Sequence, residues 1–288
     1  MTNADLDHPA SRWEGTRTLA LAEVSLEVEI LGAGEPVLLL HGFPTTRALW
    51  AAVAPALAAA GHRVIMPDLA GYGGSVAAPS LRIDMASQAR WLLELLDRLE
   101  IARAAVIAHD VGSAAAQLLV AQAPARARAL VVIDGVFRDE WAMDAVRSIR
   151  DWRADPARLH PVLARKLGQP LREVLAGYAG EVGGSRLIRA ARDLEPQQTA
   201  HLDEALRASG VPALVVWGDR DTYLPIDLVA RPLAELLAAE LHILPGGHFL
   251  PIDNPAALAT LLAEFLTTVA RHRGPVHRPS GAGTDPTI

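Results

Sequence analysis

Cysteine is absent from the 288 residues, which excludes a disulfide framework and any thiolate-ligated metal site. Lysine is nearly absent as well, since Lys166 stands alone among 27 basic residues and the rest are arginine. Together with the abundance of alanine, that bias points to a GC-rich genome more than to a function. A basic face is also missing. The formal net charge is −6, whereas a nucleic-acid partner calls for a surplus of Lys and Arg over the phosphate backbone. No apolar run reaches the roughly 18 residues that a membrane span needs. The first ten residues are polar and acidic, without the apolar stretch of a signal peptide, so a bacterial cytoplasmic enzyme is the expectation.

What is present is a globular composition, 51% hydrophobic and 21% charged, sufficient for one large core with an inserted subdomain. Short runs rich in Val, Ile and Leu recur at 37–40 (VLLL), 63–66 (RVIM), 104–108 (AAVIA), 129–133 (ALVVI), 213–217 (ALVVW) and 241–244 (LHIL). Each reads as a strand buried on both faces. Amphipathic stretches at 48–60, 86–99, 112–123, 228–239 and 255–270 alternate with them, which predicts βαβ units and an α/β, doubly wound, mostly parallel sheet. Two earlier runs, 18–22 and 25–31, predict an antiparallel start. Between 136 and 209 only helical pattern is found, so this interval is expected to be a helical cap inserted into a core formed by 1–135 and 210–271. The tail 272–288 has the Pro, Gly and polar content of a disordered end.

Four segments carry the chemistry. His41-Gly42-Phe43-Pro44 directly follows a strand, so the Phe43 N–H is placed at the carboxyl edge of the sheet, where open α/β sheets bind ligands. Ala108-His109-Asp110-Val111-Gly112 runs from a buried strand into a helix with small residues on either side. That is the layout of a nucleophile elbow, with Asp110 in the nucleophile position and Ser113 three residues too late for a serine hydrolase. Taken alone, Asp110 would read as a helix cap; the other segments argue against that. Gly246-Gly247-His248-Phe249 leaves the last strand and supplies a histidine. Gly218-Asp219-Arg220-Asp221 follows the strand before it and supplies Asp221 as the acid that orients the histidine, with Asp134 as the competitor one strand away.

With the loop Pro67-Asp68-Leu69-Ala70-Gly71-Tyr72-Gly73-Gly74-Ser75, these segments resemble, in order over roughly residues 20–270, the epoxide hydrolase and dehalogenase branch of the α/β-hydrolase superfamily. The resemblance implies an α/β-hydrolase fold and Asp110 as nucleophile. It implies His248 as base, Asp221 or Asp134 as its partner, and the N–H groups of Phe43 and Val111 as the oxyanion hole. It calls for no cofactor and no metal. A carboxylate is already ionised at neutral pH and suits displacement at a saturated carbon. The pattern also departs from the family. Family epoxide hydrolases present two cap tyrosines, but this cap region contains only Tyr178, and Ser185-Arg186-Leu187-Ile188-Arg189 stands where the second would fall. Haloalkane dehalogenases follow the nucleophile with tryptophan, where Val111 stands here. Fluoroacetate dehalogenases use arginines at the positions held by Val111 and Ala114. Trp141 and Trp152 are candidates for indole donors or an aromatic wall. Arg138, Arg147, Arg150 and Arg153 fit a solvated helix face. Epoxide opening on an apolar small-molecule substrate is the first reading and dehalogenation the second. A natural-product tailoring enzyme and a non-catalytic binding protein of the same fold follow. A homodimer through the cap is compatible with all of them.

Overall fold

The computed structural model describes residues 15–271, so the expectations for the first ten residues and for the tail lie outside the described residues. Nine strands form one sheet: β1 (Gly15–Ala20), β2 (Val24–Leu31), β3 (Glu35–Leu40), β4 (His62–Pro67), β5 (Val76–Ala77), β6 (Ala104–His109), β7 (Ala127–Ile133), β8 (Ala213–Gly218) and β9 (Glu240–Leu244). Their order is β1-β2-β4-β3-β6-β7-β8-β9, with β5 paired to β2. The pairings of β2 are antiparallel, and every pairing from β4 to β9 is parallel. This is the doubly wound α/β sheet that the strand runs predict.

Eleven helices are described: α1 (Ala54–Ala59), α2 (Met85–Arg98), α3 (Gly112–Gln122), α4 (Met143–Arg150), α5 (Leu159–Leu167), α6 (Gln169–Val174), α7 (Gly180–Arg192), α8 (Asp203–Ser209), α9 (Arg231–Leu237), α10 (Leu250–Asp253) and α11 (Pro255–Arg271). The period-2 alternation of a strand divides the central sheet between two apolar layers. Leu38, Leu40, Val106 and Ala108 pack with α2 and α3 on one face, while Val37, Leu39, Ala105 and Ile107 pack with α1 and α11 on the other. Each such leucine taken out of water contributes about 1.5–3 kcal/mol, so neither face tolerates a charge.

The run 48–60 was expected as one helix. It is instead a 3₁₀ turn at Arg47–Trp50 followed by α1, because Pro55 lacks an N–H and favours the first turn of a new helix. The run 228–239 likewise begins as a π turn at Ile226–Ala230 before α9. The helices α4 to α8 fill the interval between β7 and β8. Its middle part, α6 and α7, is tied across the carboxyl edge of the sheet. The Arg189 guanidinium donates to the carbonyls of Ala77, Ala78 and Leu81, Arg186 to Gly73, and the Thr46 hydroxyl to Val174. Its last helix, α8, packs on α3 and α9. Among the described residues no helix is long and apolar enough to cross a membrane.

Candidate active site

Asp110 occupies the turn between β6 and α3 with φ +49°, a conformation that non-glycine residues seldom adopt and that lifts its side chain over the sheet edge. Two neighbours must be glycine for the turn to close. A Cβ on Gly112 would lie 2.3 Å from the His41 carbonyl oxygen, and one on Gly42 would lie 2.4 Å from Asp110 Cβ. The close approach brings the Phe43 N–H to Asp110 Oδ2 at 2.8 Å, and the Val111 N–H faces the same carboxylate. Burial pushes the Asp110 carboxyl upward from the usual range, while His248 and these two N–H groups oppose the shift.

His248 is buried on the loop between β9 and α10. Its Nδ1 donates to Asp221 Oδ2 at 2.9 Å, which leaves Nε2 3.8 Å from Asp110 Oδ1. That gap is too long for a hydrogen bond, so Nε2 is free to bond a water set to one side of the line between the two groups. Burial alone would lower the imidazole. The Asp221 hydrogen bond and the charges of Asp110, Asp221 and Asp134 outweigh it and raise the group to about 9. Asp221 Oδ1 also accepts the N–H groups of Tyr223 (2.7 Å) and Leu224 (3.1 Å), so the acid stiffens its own loop. Asp134 forms no hydrogen bond to the His248 ring. Its carboxylate accepts Gly218 N–H at 2.7 Å and Leu250 N–H at 3.4 Å, joining the end of β8 to the start of α10. Burial holds that carboxyl well above the usual range. His109 Nε2 donates to the His248 carbonyl at 2.7 Å, and burial keeps this imidazole neutral, well below its ordinary value.

Above Asp110 lies a chamber of about 60 Å³ whose walls include Phe43, Trp141, Val146, Ile149, Leu163 and Phe249. Since one water needs at least about 10–15 Å³ of such space, the chamber accepts a small, mostly apolar molecule.

Comparison with known proteins agrees with this architecture. The family model described as the alpha/beta hydrolase fold matches residues 35–177, from β3 through the elbow into the inserted helices. The chain folds as an α/β hydrolase. A candidate epoxide hydrolase from Pseudomonas aeruginosa superposes with a TM-score of 0.72 at 26% identity, covering 92% of this chain and 99% of that one. The haloalkane dehalogenase DbeA from Bradyrhizobium elkani superposes with a TM-score of 0.77 at 25% identity, over 90% of this chain and 99% of that one. Among sequence relatives, a 2-hydroxymuconate semialdehyde hydrolase from Pseudomonas is 29% identical over 276 residues, 91% of this chain and 97% of that protein.

In this α/β-hydrolase fold, the three aromatic side chains singled out from sequence fall in different places. Trp141 lines the chamber, but its indole N–H is directed to the Arg138 carbonyl (3.0 Å) and the Thr199 hydroxyl (3.1 Å), so only its ring faces a substrate. Trp152 is not among the lining residues, and its N–H donates to the Asp155 carbonyl at 3.2 Å. Tyr178 is buried outside the chamber because its hydroxyl donates to the Thr45 carbonyl at 3.0 Å, fastening the inserted helices to the loop after β3. Sequence reasoning missed two residues of the site. One is His109, whose place beside Asp110 was visible but whose bond to the His248 carbonyl was not. The other is Tyr223, whose ring centroid lies 5.0 Å from that of His248 at the chamber wall.

Proposed function

We propose that this α/β hydrolase opens a small epoxide through an alkyl ester on Asp110, which water activated by His248 then hydrolyses. The observation that carries the reading is the placement of the Asp110 carboxylate, with Oδ2 against the Phe43 N–H and Oδ1 facing His248 Nε2 across 3.8 Å. Oδ1 is then the attacking atom. Oδ2 becomes the carbonyl oxygen of the ester, already seated where the oxyanion develops when water attacks Cγ. A preorganised N–H donor at such a position contributes about 2.7–4 kcal/mol. His248 removes the proton from that water, and Asp221 holds the imidazole in the tautomer the step requires.

Dehalogenation is the second reading, favoured by the likeness to DbeA. The chamber offers a departing halide the Lys166 ammonium but no indole N–H, since Trp141 has spent its own elsewhere and Val111 has no side-chain donor. The substitution His248→Ala separates the two. Without the base the ester should form and persist, and intact and peptide masses should locate it on Asp110. An adduct that keeps the epoxide oxygen supports the first reading. An adduct that has lost halide moves the activity to dehalogenation. If a panel of small epoxides and alkyl halides leaves Asp110 unlabelled, the ester mechanism is wrong.

A further inference from the structure

Attack on an epoxide breaks a C–O bond and leaves an alkoxide, which must take a proton as it forms. The chamber offers few donors besides the Lys166 ammonium. Trp141 is committed to Arg138 and Thr199, and the Ser148 hydroxyl donates to the Ala145 carbonyl at 2.9 Å. Of the three tyrosines in the chain, Tyr72 and Tyr178 are fully buried outside the chamber. Tyr223 is different. It lines both the chamber and the open, polar vestibule outside it, and its hydroxyl has no hydrogen-bond partner among the described residues. Its position is fixed, because Asp221 Oδ1 accepts the Tyr223 N–H and so turns the phenol toward the His248 ring, 5.0 Å away between centroids.

We propose that Tyr223 is the general acid of ring opening and that His248 returns the proton to it, an inference that rests on the epoxide reading above. In the step, Asp110 Oδ1 forms a bond to an epoxide carbon while the C–O bond breaks toward oxygen, and the phenol proton of Tyr223 moves to that oxygen. The tyrosinate then takes a proton from the His248 imidazolium. Charge balances: the carboxylate becomes a neutral ester, the imidazolium becomes a neutral imidazole, and the phenol is restored. The relay leaves His248 as the free base that hydrolysis of the ester requires. Two features support this order. The imidazole is held protonated at neutral pH by Asp221, Asp110 and Asp134, and esterification removes the Asp110 charge from that set. Burial, with the Asp221 and Asp110 charges, raises the phenol, so it enters the reaction as a donor. The placement also orients the substrate, with its oxygen toward the mouth and its carbon skeleton in the apolar interior.

The test is rapid-quench mass spectrometry of ester formation on Asp110, comparing wild type with Tyr223→Phe on butylene oxide and on trifluoropropylene oxide. General acids contribute about a hundredfold or more, so the variant should lose that much with butylene oxide. It should lose far less with the trifluoro compound, whose weakly basic alkoxide needs a proton less. A rate that does not change in the variant overturns the proposal. An equal loss on both epoxides also overturns it, since that is the signature of a side chain that only packs. The groups facing His248 are Asp110 and His109 from the elbow, Asp134 from the end of β7, and Asp221 and Tyr223 from the loop after β8. With that set, steady-state turnover, which needs the phenol restored in each cycle, should decline as pH rises past about 9 where the imidazolium that restores it is lost; a flat profile removes the relay. If wild type forms no ester with either compound, the epoxide reading falls and this proposal falls with it.

Discussion

At the scale of single residues, the two acids near His248 make opposite predictions. Asp221 accepts the Nδ1 proton, whereas Asp134 accepts only backbone N–H groups of Gly218 and Leu250. Replacing Asp221 with Asn should therefore slow ester hydrolysis by roughly three to four orders of magnitude by disfavouring the productive imidazole tautomer. Attack by Asp110 needs no base, so stopped-flow quench of Asp221→Asn should reveal the trapped ester. Asp134→Asn keeps one acceptor oxygen and should change turnover by less than about tenfold, with its cost appearing in melting temperature instead. Equal kinetic losses in the two variants would contradict this division. Tyr178→Phe is a sharper check on the inserted helices. It removes one buried hydroxyl bonded to a backbone carbonyl and should cost about 0.5–1.5 kcal/mol in denaturant unfolding, with kcat unchanged. A kcat that collapses without loss of stability would return Tyr178 to the chemistry.

At the scale of elements, the elbow holds because β3 and β6 run side by side and end together, with Leu40 paired to Ala108. The space for α3 to start there is the width of a hydrogen atom on Gly112. Gly112→Ala places a methyl group against the His41 carbonyl and should destabilise the protein by about 1–3 kcal/mol, while shifting Asp110 off the Phe43 N–H. Thermal unfolding together with ester-formation rate measures both effects, and an alanine variant with native melting and native rate would refute the packing argument. The same strands show what the sequence makes legible. Continuous runs of Val, Ile and Leu can be satisfied only between two helical layers, so β3, β6, β7 and β8 could be read directly, and the loops at their carboxyl ends with them. The two-residue β5 has no periodicity to detect. Arg186 and Arg189 stand in the sequence only as part of the stretch where a second family tyrosine would fall, and their carbonyl partners, contributed by residues 108 to 113 positions away, leave no local pattern. Tyr223 was hidden for a similar reason. Its direction is set by a bond between Asp221 and its own backbone, which no side-chain pattern encodes.

At the scale of the whole molecule, buried imidazoles pull stability in opposite directions around neutrality. Burial lowers His41 and His109 below their ordinary value. Each is neutral in the fold, with His41 Nε2 accepting the Leu69 N–H at 3.0 Å. A depressed imidazole stabilises the fold above its unfolded value near 6.5, and that contribution is lost as pH falls toward the lower folded value. His248 has the reverse sign. Raised to about 9, it contributes fully below about 6.5 and loses that contribution as pH rises through about 9. The melting temperature should therefore peak near neutral pH, with an acid limb set by His41 and His109 and an alkaline limb set by His248. His248→Gln keeps a polar side chain but cannot titrate, so it should flatten the alkaline limb and leave the acid limb in place. Calorimetry of both proteins from about pH 5 to about pH 10 decides the matter. If the alkaline limb is as steep in His248→Gln as in wild type, the charge on His248 is not what couples the carboxylate cluster to the stability of the fold.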